Sequence, residues 1–298
     1  MPSHAANRRG ILALIAATAA FSVNDAIIKL AARALPVGEV IFVRGFMTIV
    51  CMTGALAAMR QLGKIPTAFT RWVAARAFLD GCATALFVTG LMRIKLADLT
   101  AMVLASPLIL TALSVFLFKE VVGWRRWSAI VVGFIGALFI VRPVPGSFDA
   151  WALMGLGAAC ASAARDLITH RLDPRIPALV IGLAACVAMT ATGALLGLTE
   201  QWSVPATREL VMLGGAAALF SVAGFLLVIA FRGVELSVVS PFRYTLLLWG
   251  VIAGYTILGE APDKWTFIGG ALIVGSGIYT LHREAVRRRN LTGDIPPQ

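Results

Sequence analysis

ILALIAATAAFSVNDAIIKL, residues 11–30, is apolar for a dozen positions and then admits Asn24, Asp25 and Lys29 before turning apolar again. A helix crossing about 30 Å of hydrocarbon at about 1.5 Å per residue needs about 20 residues, which is the length of this run. Arg8 and Arg9 precede it, as they would in a secretory signal. The run is too long for one, carries charges and has no evident cleavage box, so it reads as a retained first membrane span. Charged side chains inside a span cost roughly 2.5–3.5 kcal/mol each on insertion scales, so Asp25 and Lys29 demand partners or a purpose.

Working outward, the rest of the chain repeats that pattern. Of 298 residues, 59% are hydrophobic and 14% charged, against roughly 45–50% and about 25% in soluble domains. Apolar runs place spans near 10–32, 37–59, 72–92, 97–118, 126–142, 150–170, 177–198, 210–231, 237–258 and 265–282. These runs are continuous and do not alternate, which favours helices over a barrel, because lipid requires each backbone amide to be satisfied within its own segment. Ten spans use up the chain and leave no soluble domain.

The net charge of +11 comes from Lys and Arg in small groups between spans, not from a continuous basic face, so nucleic acid is not an expected partner. One alternate set of connections, including Arg8, Arg9, Arg60, Lys64, Arg71, Lys119, Arg125, Arg126, Arg171, Arg175, Arg232 and Arg287–Arg289, holds most of this charge. Positive connections stay cytoplasmic, so both termini are expected there, in a bacterial-type inner membrane. Trp72, Trp124, Trp127, Trp151, Trp202 and Trp265 fall at span ends, as interfacial rings should; Trp249 alone sits well inside. Cys51, Cys82, Cys160 and Cys186 lie far apart in apolar runs without metal or redox spacing, and no metal or cofactor is expected.

Segments about 140 residues apart resemble each other. FSVNDAIIK (21–29) aligns with SAARDLITH (162–170), setting Asp25 on Asp166 and Lys29 on His170. LSVFLFKE (113–120) aligns with AGYTILGE (253–260), setting Glu120 on Glu260. Five spans per copy is an odd number, so the second copy starts from the opposite side of the membrane. The chain is therefore expected to be an all-α polytopic membrane protein of ten helices, built as two inverted five-helix repeats, 10–142 and 150–282, around a central cavity, with tails 1–9 and 283–298.

These features resemble the EamA-type members of the drug/metabolite transporter superfamily over about residues 9–282. The resemblance rests on Asn24, Asp25 and Lys29 in the first span, Arg44 after Pro36, the span-ending Glu120 and Glu260, and the glycine-rich fifth and tenth spans. It departs where FSVNDAIIK replaces a Trp-Gly pair common in the family, and where the second half lacks a counterpart of Arg44. The resemblance implies a transporter, with bacterial amino-acid exporters, including YddG-type exporters of aromatic amino acids, as the nearest functional relatives.

Candidate site residues are those whose presence in a span is costly. Asp25 with Lys29, and Arg76 with Asp80, are four apart and can neutralise each other on one helix face. The alternative is that such pairs only make insertion tolerable and lock helices together. A zwitterionic amino acid would be matched at both ends by Asn24, Asp25 or Asp80 against Lys29, Arg44 or Arg243. Phe21, Phe87, Phe242, Tyr244 and Trp249 are candidates for an apolar wall, with ordinary packing the plainer role. Arg76, Arg165, Asp166, Pro107 and Pro241 are candidates for coupling or gating, the prolines because each removes a backbone hydrogen bond. Pairs such as Gly193–Gly197 and Gly250–Gly254 suggest close helix approach within a monomer. No GxxxxGK[ST] loop and no nucleotide-binding domain occurs, so direct use of ATP is not expected; without HExxH or GxSxG, neither is an enzyme. The expected partners are a small-molecule substrate and the lipid bilayer.

Overall fold

The computed structural model of the chain describes residues 4–118, 124–141, 150–169, 171–231 and 236–293. Lys119, Glu120, Arg142, His170, Arg232 and the last five residues lie outside them. The described residues form helices joined by short connections, with no strand: α1 (His4–Ala31), α2 (Val37–Ala58), α3 (Arg71–Leu91), α4 (Leu96–Val103), α5 (Ser106–Phe118), α6 (Trp124–Val141), α7 (Ala152–Thr169), α8 (Ala178–Gly197), α9 (Thr207–Phe231), α10 (Leu236–Val239), α11 (Thr245–Leu258) and α12 (Lys264–Gly293).

Among the described residues, six segments are long and apolar enough to cross a membrane: Ala6–Ala31, Val37–Ala58, Arg71–Leu91, Leu96–Leu113, Ala178–Gly197 and Thr207–Phe231. Trp127–Val141 is a shorter apolar helix. Phe46, Phe78, Phe134, Leu195 and Val211 stand exposed on the outside of the bundle, a surface that suits lipid and not water. The chain is a multi-pass membrane protein.

Two expected spans are broken, each at a proline. The run expected over 97–118 is α4 and α5, separated just before Pro107; that over 237–258 is α10, a 3-10 turn at Ser240–Tyr244, and α11. Proline has no amide proton to give the carbonyl four residues back, which for Pro107 is that of Val103, and its ring crowds that carbonyl, so the helix ahead of it stops and a new one starts. Two further boundaries differ from expectation. α12 runs to Gly293, so the stretch after residue 282, expected as a tail, continues the last helix; α1 begins at His4, inside the expected N-terminal tail.

Packing gathers two faces. At the far face, the C-terminal ends of α1, α8 and α11 meet the N-terminal ends of α2 and α4 through contacts of Lys29, Glu200 and Glu260. At the near face, Ile65, Leu56, Val73 and Ile176 cluster, and Arg171 lies over Trp72 at 5.1 Å. Between the faces, α1 packs on α9 and α11, α2 on α8 and α9, α3 on α7 and α8, and α6 on α12. Glycine makes two of these contacts possible. A methyl group at Gly193 would lie 2.8 Å from the Gly38 carbonyl, and one at Gly136 would lie 2.7 Å from the Gly269 carbonyl. In both cases backbone touches backbone, the arrangement expected where helices associate in lipid.

Candidate functional site: a polar interior between α1, α2 and α9

In the polar break of α1, Asn24 and Lys29 are buried and Asp25 is half-buried. Asn24 is 1% exposed and its amide donates to Asp25 Oδ1 at 2.9 Å, while Asn24 Oδ1 has no hydrogen-bond partner among the described residues. Across from it on α2, Arg44 is 3% exposed. Its guanidinium lies over the Phe220 ring of α9 at 4.9 Å, and Phe21 of α1 meets that ring edge-on at 5.5 Å and 73°. Arg44 and Asp25 interact electrostatically without closing to an ion pair, and Cys186 of α8 is in range of Arg44 as well. Counting from Lys29 and Gly38 at the far face, these groups lie about 6–9 Å below it.

Lys29 does not neutralise Asp25, as their spacing had suggested. It reaches Glu260 at 2.5 Å and the Ile94 carbonyl at 2.6 Å. The chain after α11 makes this possible: Gly259 takes φ 70°, which a side chain would resist, and the Glu260 amide turns back onto the Gly254 carbonyl at 2.8 Å. Glu260 is thereby swung over the end of α1, and its second oxygen accepts from the Leu96 amide at 2.9 Å. Lys95 in turn donates to the Ala261 carbonyl at 2.9 Å. A second carboxylate does the same nearby, Glu200 accepting twice from the Gly38 amide, at 2.9 and 3.1 Å. Neither α2 nor α4 has a side-chain cap of its own. Each N-terminus is completed by a glutamate from the other half of the chain, where a negative charge is favourable.

Arg76 and Asp80 pair as their spacing suggests, at 2.7 Å. Asp80 also takes Arg165 of α7 at 3.1 Å, Arg165 holds Asp166 at 2.8 Å, and Arg76 donates to the Thr169 hydroxyl at 3.1 Å. This network ties α3 to α7 toward the near face. Asp80 is saturated by two arginines and is not presented to a ligand.

The remaining candidates scatter. Phe242 packs with Ala13, Leu14, Ala230 and Val239. Tyr244 belongs to the core with Met102, Ile140 and Ile273, its hydroxyl against Gly277 and without a partner among the described residues. Arg243 is half-buried in the 3-10 turn that also holds Pro241. Phe87 packs on the core beside Leu91 and Leu99. Trp249 on α11 has a buried indole N–H without a partner among the described residues. Two links fix α11 beside α1, Thr18 to Thr245 at 2.8 Å and Lys29 to Glu260, and Trp249 falls between them. Phe220 and Glu200 escaped sequence reasoning: a phenylalanine in an apolar span carries no signal, and Glu200 sits in a short connection. Among the described residues no cluster of three metal-binding side chains occurs.

Residues 8–142 match the EamA-like transporter family. Similar proteins carry varied names. The chain is 28% identical over 264 residues to the S-adenosylmethionine uptake transporter of Rickettsia conorii, covering 88% of this chain and 89% of that one. It is 26% identical to the riboflavin transporter of Vibrio cholerae, covering 94% and 95%. It is likewise 26% identical to the pseudopaline exporter CntI of Pseudomonas aeruginosa, covering 90% and 94%. A crystal structure of a protein 18% identical in sequence superposes with a TM-score of 0.65 over 94% of this chain and 98% of the other, so the fold is shared.

Proposed function

We propose that the chain is a secondary exporter of amino acids, aromatic and hydrophobic ones best, working by alternating access as a monomer in a bacterial-type inner membrane with both termini cytoplasmic. The observation that carries this is half-buried Asp25 facing the charge of buried Arg44 without an ion pair between them, whereas Asp80, Asp166 and Glu260 each hold a basic partner. Ten spans in two inverted repeats, 10–142 and 150–282, give such a site two ways to open. Three features support the repeat. α1 meets α9 as α3 meets α7; α2 meets α8 and α6 meets α12, each helix against its own counterpart; and the broken spans with Pro107 and Pro241 hold the same place in each half. Discontinuous spans near the middle of the membrane are where transporters of this design hold their cargo. Export is chosen over uptake on family resemblance; the relatives' names include both directions.

Purified protein in liposomes, tested with labelled amino acids, nucleosides and sugars, with and without a pH gradient, is expected to move aromatic amino acids saturably. Saturable flux of nucleosides or sugars only would replace this cargo, and a gradient effect would establish proton coupling.

A further inference from the structure

Six of the intramembrane charges are already committed. Lys29 is spent on Glu260, and Arg76 and Arg165 are spent on Asp80 and Asp166. Of the charges near the middle of α1, α2, α3 and α7, that leaves Asp25 and Arg44, together with Asn24 Oδ1, an acceptor that is buried and unpaired among the described residues. The Arg44 guanidinium has no hydrogen bond and no ion pair among the described residues, although the residue is 3% exposed. One face of its guanidinium is covered by Phe220. Its five N–H groups point outward in the plane of the ring system, so a group that satisfies them must approach edge-on. A planar carboxylate does so with two parallel hydrogen bonds, whereas a tetrahedral dianion would bring a surplus charge. Asn24 Oδ1 and the Asp25 carboxylate, both acceptors, complement an ammonium.

Resting on the amino-acid reading above, we propose that Arg44 and the Asn24–Asp25 pair divide the two ends of one dipolar head between them, Arg44 taking the carboxylate and Asn24–Asp25 the ammonium, so that the cargo must be net neutral and carry both. Asp25 and Arg44 sum to zero, and so does each network around them. A net-charged molecule would leave an uncompensated charge in a low-dielectric interior, which is costly. Lys29, Asp80 and Arg243 have no part in the head site. The side chain of the cargo lies toward Phe21 and Phe220.

The test uses the full-length wild-type protein in detergent and equilibrium binding of phenylalanine, phenylalanine methyl ester, phenylalanine amide, phenethylamine and N-acetylphenylalanine. Binding of phenylalanine at least tenfold tighter than each of the other four is the expected result; it needs no variant and so no assumption about folding. Arg44→Gln and Asp25→Asn are each expected to lose at least tenfold in phenylalanine affinity. The doubly neutralised protein, balanced in charge and so the best placed of the three to fold, is expected to lose it too. If phenylalanine binds but the ester or amide binds equally well, or if Arg44→Gln binds as wild type does, the head assignment is overturned while the amino-acid reading stands. If no amino acid binds in any form, both fall.

Discussion

Arg44 pays for its burial through Phe220 and through the nearby charge of Asp25, and no other group among the described residues satisfies its donors. Replacing Phe220 by Leu removes the cation–π contact, worth about 2 kcal/mol when desolvated, and frees the guanidinium to collapse onto Asp25. Phe220→Leu is therefore expected to insert normally and to raise the half-saturating substrate concentration in liposome flux by roughly tenfold; an unchanged value would show that the ring is only packing. Much of this was legible beforehand. Asn24, Asp25 and Arg44 stood out because charge inside an apolar run is costly whatever the fold. Which cation pairs with which anion was not, since helix spacing sees only partners on the same helix. It suggested Lys29 for Asp25, and tertiary packing supplied Glu260 instead. Phe220 was invisible for the opposite reason, being one apolar residue among many.

At the level of elements, α2 and α4 both begin without caps of their own and borrow Glu200 and Glu260 from the second half of the chain. If the protein works by alternating access, as proposed above, opening the far face must break these contacts along with the Lys29–Glu260 pair. Glu260→Gln is expected to destabilise the closed far face by about 2–3 kcal/mol, below the ~3–5 of a fully buried pair because the amide still meets Leu96 N–H. Accessibility of a cysteine placed at Asn24 to a membrane-impermeant maleimide from the far side should rise accordingly. Unchanged labelling would mean that Lys29–Glu260 does not hold that face shut. Exchanging the pair, Lys29→Glu with Glu260→Lys, should restore less than half of the closure, because a lysine cannot cap the Leu96 amide. The broken spans make a separate prediction. Pro107→Ala and Pro241→Ala each allow a continuous helix and are expected to lower maximal flux several-fold at unchanged membrane insertion, read as transport per inserted protein. The prolines themselves were plain in the sequence; that each would split a span into two helices depended on neighbours that tolerate the break.

For the whole molecule, the apolar runs made the class legible, and the weak likeness between 21–29 and 162–170 pointed to duplication before any contact was known. The pairing of α1 with α9 against α3 with α7 is what two inverted copies would build, and no local pattern carries that information. Close backbone contact of Gly38 with Gly193 holds the α2–α8 seam. Gly193→Leu, which would drive a side chain into the Phe42 amide 2.6 Å from the first added carbon, is expected to prevent stable folding, seen as aggregation on size-exclusion chromatography in mild detergent. On the proposed function one site faces the two sides in turn, and counterflow reads that exchange. Liposomes loaded with unlabelled phenylalanine should accumulate labelled phenylalanine transiently above equilibrium, faster than empty ones, and Asp25→Asn with Arg44→Gln should abolish the overshoot. Equal uptake by loaded and empty liposomes, or an overshoot that survives the double substitution, would contradict the account.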